Sequence, residues 1–254
     1  MIVRFGIVGA AGRMGRLLAE EGLAAGYVAA GGLIRPDDTP PPGVTIIADL
    51  ASLAAVSDVV IEFTVAAVAQ AHAAIMAESQ AAWVLGTTGL SADDEAAVGR
   101  AAARIPVVFA ANFSPGVTIL LELARRMGAA FPAESYDAEI LEMHHRQKID
   151  APSGTAVAIG RAVAAGRQVD LAEVTDSGRD GHTGARATGA IGFAALRGGQ
   201  VVGEHTLLFA SGSEHIALTH RAFDRRVFAS GAIRAAGWVQ GRKPGLYSMA
   251  DVMA

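Results

Sequence analysis

The sequence predicts an α/β protein: a parallel sheet covered by helices, followed by a smaller α+β domain with an open mixed or antiparallel sheet. Three observations carry this. Between residues 2 and 109, short apolar runs alternate with helical stretches, the pattern of strands joined by helical crossovers. The first apolar run passes directly into a glycine-rich turn and a helix. Beyond residue 190, three strand-like runs follow one another, separated by Gly-Gly and Ser-Gly turns.

Ile2–Val8 is rich in β-formers, and Gly9-Ala10-Ala11-Gly12-Arg13-Met14-Gly15-Arg16 separates it from a helix over Leu17–Ala25. Strand, glycine turn and helix in that order make a Rossmann-like dinucleotide site. Glycines let the backbone approach a pyrophosphate, and the helix start supplies N–H groups and the positive end of its dipole. The spacing is Gly-x-x-Gly-x-x-Gly, and tight helix–strand packing is the competing reading of it. Val28–Ile34 is the second strand, ending at Arg35. An acid at that place bonds the ribose 2′-OH of NADH, whereas arginine accommodates a 2′-phosphate. Arg35 therefore points to NADPH, and Ile34 supplies no acid for NADH.

The alternation continues. Asp49 caps a short helix, Val59–Phe63 is an apolar strand, and Thr64 opens a helix to about Glu78. His72, within that Ala-rich helix, reads as structural or surface. Ala82–Leu85 is a strand closed by Gly86-Thr87-Thr88-Gly89. Ser91 and Asp94 mark the capped start of a helix to Arg104, and Ile105–Phe109 is the fifth strand, ending at Ala110-Ala111-Asn112-Phe113. The turns Gly9–Met14, Gly86–Thr88 and Ala110–Phe113 thus fall at strand C-terminal ends, where open parallel sheets bind ligands.

Ser114-Pro115-Gly116 marks a domain boundary, and Val117–Phe131 reads as a connecting helix. A dense polar motif follows: Glu139-Ile-Leu-Glu142-Met-His144-His145-Arg-Gln-Lys148-Ile-Asp150-Ala-Pro152-Ser153-Gly154-Thr155-Ala156. Its apolar residues over 138–143 predict a strand ending near the histidines, and Asp150–Gly154 is a turn before a helix from Thr155. The start of that helix is an anion site by its free N–H groups. Of 21 lysines and arginines only Lys148 and Lys243 are lysine. Lysine can release a proton near neutral pH in a suitable site and arginine cannot, so Lys148 is a candidate for proton chemistry. Residues 176–189 form a long loop in which His182, Thr183 and Arg186 either close over a substrate or make a subunit contact. Ala190–Arg197, Val201–Ala210 and Ser213–Arg221 are strands, Phe223–Gln240 is a helix, and Gly245–Met249 is irregular.

Composition narrows the function. A net charge of −4 provides no basic field for nucleic acid. Cysteine is absent, which removes disulfides, thiolate zinc sites and a thiol nucleophile, and fits a reducing cytoplasm. The strand over Met1–Val8, interrupted by Arg4, stands where a signal peptide would be apolar. No run reaches the roughly 18–20 uncharged apolar residues of a membrane span. The two adjacent histidines do not have metal-ligand spacing, so no metal site is expected.

The 139–156 motif resembles the signature of the dihydrodipicolinate reductase (4-hydroxy-tetrahydrodipicolinate reductase) family. That pattern is Glu-x-x-Glu-x-His-His-x-x-Lys-x-Asp-x-Pro-Ser-Gly-Thr-Ala, and every specified position is met. Family-like segments also occur at Gly9–Arg16, Gly86–Gly89, Ala111–Ser114, Gly181–Phe193 and Gly203–Thr206, so the resemblance spans the chain. It implies a dinucleotide domain over 1–113 and 223–254, with the tail returning to it, and a substrate and oligomerisation domain over 114–222. It implies NADPH, with NADH possible, along Gly9, Ala10, Ala11, Gly12, Arg13, Met14, Arg35, Gly86, Thr87, Thr88, Ala110, Ala111, Asn112 and Phe113. The reaction implied is reduction of a cyclic imine dicarboxylate in diaminopimelate and lysine biosynthesis. His144 is then the proton donor, with Lys148 assisting or donating directly. His145, Ser153, Gly154 and Thr155 bind the dicarboxylate, while Glu139 and Glu142 orient the loop. A cytoplasmic homotetramer built on the second-domain sheets is expected. The alternatives are a related reductase of another small imino or keto acid, or a dinucleotide-sensing regulator without catalysis.

Overall fold

A computed structural model describes residues 2–254. The chain runs β1 (Arg4–Val8), α1 (Arg13–Ala24), β2 (Val28–Leu33), α2 (Leu50–Val56) and β3 (Val59–Glu62). It continues through α3 (Ala69–Ala77), β4 (Ala82–Leu85), α4 (Ala92–Ala102) and β5 (Pro106–Phe109). Then come α5 (Pro115–Ala130), β6 (Asp137–His144), α6 (Gly154–Arg167) and α7 (Leu171–Val174). Four strands follow: β7 (Thr175–Ser177), β8 (Ile191–Arg197), β9 (Gly203–Ala210) and β10 (His215–Ala222). The tail is α8 (Arg226–Trp238), β11 (Gly245–Tyr247) and α9 (Met249–Met253). Two compact units result, one of residues up to Pro115 together with Arg225–Ala254, the other Gly116–Asp224.

The first unit holds a six-stranded sheet, ordered β11-β5-β4-β3-β1-β2 and parallel at every pairing. Its central strands are apolar at nearly every position because both faces are covered. Val59 and Ile61 enter one core with Phe5, Leu18 and the Ala-rich face of α8, whereas Val60, between them, enters the other with Leu53, Trp83 and Val98. Each such side chain contributes about 1.5–3 kcal/mol through burial. The chain passes from β1 to β2 on one side and then crosses to β3 on the other. That reversal opens a crevice at the C-terminal ends of β1 and β3.

The second unit holds a five-stranded sheet, β10-β9-β6-β8-β7. It is mixed: β10–β9 and β9–β6 are antiparallel, and β6–β8 and β8–β7 parallel. Residues from α5, α6 and one sheet face, among them Leu120, Ile140, Ile159, Val163, Phe193, Leu207 and Phe209, form its core. On the other face Leu141 and Leu196 are half-exposed.

Three stretches differ from the sequence reading. The helix expected from Thr64 begins at Ala69 after a 3₁₀ turn over Ala66–Val68, because Thr64 is held at the strand end. Its hydroxyl donates to Glu62 and its N–H to Thr87. The tail expected to be irregular contains β11, which pairs with β5, and α9, capped by reciprocal Ser248–Asp251 hydrogen bonds. Thr175–Ser177, at the start of the expected loop, pairs with β8. Met1, expected within the first strand, lies outside the described residues.

Glycines set how closely α1 lies on the strand–turn junction. A Cβ on Gly15 would sit 2.2 Å from the Gly9 carbonyl oxygen and 2.6 Å from Ala10 Cα, backbone that cannot turn aside. Gly99, inside α4, has nothing within 4 Å of that position. Gly15→Ala should therefore destabilise by at least about 1–3 kcal/mol. Gly99→Ala should stabilise by about 0.5–1 kcal/mol. Urea unfolding of both variants checks this, and equal midpoints would contradict it.

Candidate active site

The crevice at the strand ends of the first unit is lined by Arg13, Met14, Phe63, Thr64, Gly86, Thr88, Ala111, Asn112, Phe113, Arg225 and Phe228, around about 400 Å³. Gly9 makes the turn out of β1 with φ +78, a conformation that favours glycine. Its amide and that of Ala10 both donate to Leu33 O, tying the turn to β2. Helix α1 starts at Gly12 without any side-chain cap. Its first N–H groups therefore remain for an anion, beside Arg13 and along the positive helix end. An exposed backbone turn, an uncapped helix and a cavity at the sheet's crossover fit the pyrophosphate and nicotinamide half of a dinucleotide.

Not every residue expected there faces the cavity. Ala10 is fully buried, and so in effect is Thr87, whose hydroxyl accepts from Thr64 N–H. Both brace the loops rather than line the crevice. Gly12 and Ala11 stay at the surface of the turn, and Ala110 anchors its loop by donating to Leu85 O. Arg35 is exposed and bidentate on Asp38, at 3.0 Å from each guanidinium nitrogen involved. An acid does stand near this arginine, three residues after it. His72, expected to be structural or at the surface, has Nδ1 2.7 Å from the buried Glu62 carboxylate. Thr64, Phe63, Arg225 and Phe228 line the crevice without having been singled out. Thr64 follows the third strand end and was legible by the same rule as its neighbours; Arg225 and Phe228 arrive with the tail and carry no local signal.

In the second unit, alternation along β6 places Glu142 and His144 on the covered face with Ala138 and Ile140. Glu139 lies on the other face. It receives Arg179 and Arg186, and Arg186 also donates to Asp137 and to the carbonyls of Ala138 and Ala190. Arg186 thus stitches the 176–189 loop to the sheet, whereas His182 and Thr183 are exposed.

Glu142 is the centre of the cluster. Its Oε2 lies 2.7 Å from His144 Nδ1 and 2.7 Å from Arg197 Nη1. Its Oε1 accepts from Ser153 N–H at 3.0 Å and from Arg197 Nη2 at 2.7 Å. Burial alone would push this carboxyl up, but Arg197, His144 and the Ser153 amide hold it below the ordinary carboxylate range. For His144, burial, Lys148 and Arg197 outweigh Glu142 and bring the imidazole down. Lys148 Nζ pairs with Asp150 at 2.8 Å. His145 sits just beyond the strand, and its buried Nδ1 has no hydrogen-bond partner within the chain.

Ser153 departs from its expected role as a direct carboxylate donor. It is 2% exposed, its amide is spent on Glu142, and its hydroxyl caps α6 through Ala156 N–H while lying 3.0 Å from His205 Nε2. It positions the helix start; next in the first turn, Gly154 is exposed and Thr155 half-buried. Glu142's partner Arg197 and the hydroxyl's partner His205 were not anticipated, because nothing local to residue 197 or 205 marks a contact 55 or 52 residues away. Among the described residues no group of His, Asp and Glu could hold a metal ion, and no helix is long and apolar enough to cross a membrane.

The chain is similar to known proteins in sequence and in fold. A family model described as dihydrodipicolinate reductase, N-terminus, matches residues 3–113, and one described as dihydrodipicolinate reductase, C-terminus, matches 116–253. The 4-hydroxy-tetrahydrodipicolinate reductase of Granulibacter bethesdensis is 62% identical over 99% of this chain and 97% of its own length. That of Acidiphilium cryptum is 61% identical over the same shares. A dipicolinate-bound dihydrodipicolinate reductase from Paenisporosarcina sp. TG-14 superposes with a TM-score of 0.80 at 24% identity, covering 99% of each chain. Aspartate dehydrogenase from Thermotoga maritima gives 0.52 at 12% identity, over 96% of this chain and 99% of its own. The two structural likenesses speak to the fold alone.

His205 supplies a stability test. Burial, aided by His144, pushes its imidazole from 6.5 down to about 4. The unfolded chain takes up a proton near 6.5 that the folded chain refuses until about 4, so stability falls as pH drops through that window. A shift of this size corresponds to roughly 3 kcal/mol. His205→Gln should flatten the fall between pH 6.5 and 4 in urea unfolding of the second unit. An unchanged slope would mean that His205 titrates as it does in water.

Proposed function

The chain belongs to the dihydrodipicolinate reductase family, and from that premise we propose that it reduces 4-hydroxy-tetrahydrodipicolinate to tetrahydrodipicolinate, with NADPH as preferred donor, in diaminopimelate and lysine biosynthesis. The observation that carries this reading is the Glu142-anchored His144 beside Lys148 and the first turn of α6. Loss of water from the 4-hydroxy compound leaves a conjugated cyclic imine with two carboxylates. NADPH, along the glycine turn and the Gly86–Thr88 and Ala111–Phe113 loops, supplies the hydride. The enamine-like anion that results takes one proton, for which His144 and Lys148 are the candidate donors. Gly154 and Thr155, at the positive end of α6, hold one carboxylate, with His145 assisting. Leu141 and Leu196, half-exposed on the uncovered sheet face, support a homotetramer built on that face, and the absence of cysteine fits a cytoplasmic enzyme.

The preference for NADPH rests on Arg35. Charge-assisted arginine–phosphate bonds are worth roughly 1.5–3 kcal/mol. Arg35→Ala should therefore lose about tenfold or more in kcat/KM with NADPH and little with NADH. Equal losses with both cofactors would show that Arg35 does not read the 2′-phosphate.

Lys148 separates counter-charge from proton source. Arginine keeps the positive charge but holds its proton with a pKa above about 12. Lys148→Arg should lower kcat by about 10² or more, on the scale of a lost general acid. NADPH binding, followed by fluorescence titration, should stay near wild type. Near-normal turnover in Lys148→Arg with collapse in Lys148→Met would reduce Lys148 to electrostatics.

A further inference from the structure

We propose that Glu142, surrounded by the donors of Arg197 and Ser153, is a positioning residue that locks the His144 proton on Nδ1 and so makes Nε2 the atom that loads and delivers the catalytic proton. This deepens the reading of His144 as a proton donor and rests on it. The tautomer follows from donor counting. Three of the four contacts to the Glu142 carboxylate are obligate donors: two guanidinium nitrogens and the Ser153 amide. A buried carboxylate so surrounded is ionised and can only accept. The fourth contact, His144 Nδ1 at 2.7 Å, must then carry hydrogen. Nε2 holds a lone pair in the neutral ring and a proton only in the imidazolium.

The surroundings of Nε2 suit that task. A Cβ on Gly203 would lie 3.1 Å from His144 Nε2 and 3.4 Å from Cδ2, so the missing side chain keeps that edge of the ring clear. The charges facing the imidazole are Glu142 on its own strand, Arg197 on β8, Lys148 with Asp150 in the following loop, and His205 on β9, whose ring centroid is 5.1 Å away. His220 on β10 stands beyond His205. Glu142 favours the imidazolium; Arg197 and Lys148 oppose it. Arg197 also donates to Asp150 O at 2.6 Å, tying the Lys148–Asp150 loop to the same carboxylate. A dicarboxylate at α6 adds negative charge beside this balance, so its arrival draws a proton onto Nε2. The acid is thus loaded by the ligand that needs it.

Two substitutions move the proton in opposite directions. Activity requiring the imidazolium falls as pH rises through its pKa. Glu142→Gln removes the stabilising anion, so the alkaline fall of kcat/KM should shift to lower pH by about one to two units. Arg197→Met removes an opposing cation and should shift it to higher pH, while Arg197→Lys should stay near wild type. Dipicolinate binding should be accompanied by uptake of about one proton near neutral pH in wild type, reduced in Glu142→Gln and read by calorimetry in buffers of differing ionisation enthalpy. Loss by one factor at every pH with unmoved midpoints would reduce Glu142 to a brace. Should the variants not fold, ¹⁵N NMR of the wild-type histidines decides: a neutral His144 protonated at Nε2 overturns the proposal, and one protonated at Nδ1 supports it. If wild type neither binds dipicolinate nor reduces the imine, the substrate reading fails, and the tautomer measurement still judges the role of Glu142.

Discussion

A carboxylate withdrawn from water has to be met by donors, and the candidate-site end of the second unit is arranged around meeting one. The partners of Glu142 come from three parts of the chain: the end of its own strand, the end of β8, and the backbone that starts α6. Leaving such a buried charge without a partner typically costs about 3–5 kcal/mol. The geometry of strand end, loop and helix start is therefore fixed by one electrostatic demand. Precision at the site and stability of the unit come from the same four contacts.

The two units use helix starts differently. Helix α1 begins at a glycine that offers no cap, which leaves its first turn bare for a phosphate. Helix α6 begins at a serine that caps it and is itself held by Glu142 and His205. The first arrangement suits a ligand that brings two charged phosphates and is gripped by backbone. The second fixes the angle of the helix start at the cost of open donors, since the Ser153 amide and hydroxyl are both committed.

What was legible in the sequence was what is local. The glycine turn after β1, the Ser91–Asp94 and Asp49 caps and the apolar strands are all set by neighbours within a few residues. The signature from Glu139 to Ala156 is contiguous, so its residues could be named before their geometry was known. Three kinds of feature escaped. Arg197 answers Glu142 across a strand pairing that no spacing announces. Three-residue strands such as β7 and β11 are too short to show a period of two and exist only because a neighbour offers an edge. Roles within the motif also sorted late: Ser153 reads as a ligand donor by type, yet a capping hydroxyl and a buried amide were both already committed.

The tail carries a consequence for the order in which the molecule can be made. The second unit is one unbroken stretch, Gly116–Asp224, whereas the first is not complete without Arg225–Ala254. A ribosome therefore releases all the parts of the inserted unit while its host still lacks α8, a wall of one core, and β11, the strand that closes the sheet beyond β5. During that interval the Pro106–Phe109 edge presents apolar side chains and unpaired backbone groups, the kind of edge that recruits foreign strands. The usual vectorial rule, N-terminal unit first, is reversed here. The glycine turn, translated before the inserted unit, belongs to the unit completed after it, and its safety during synthesis depends on how quickly Arg225–Ala254 follow.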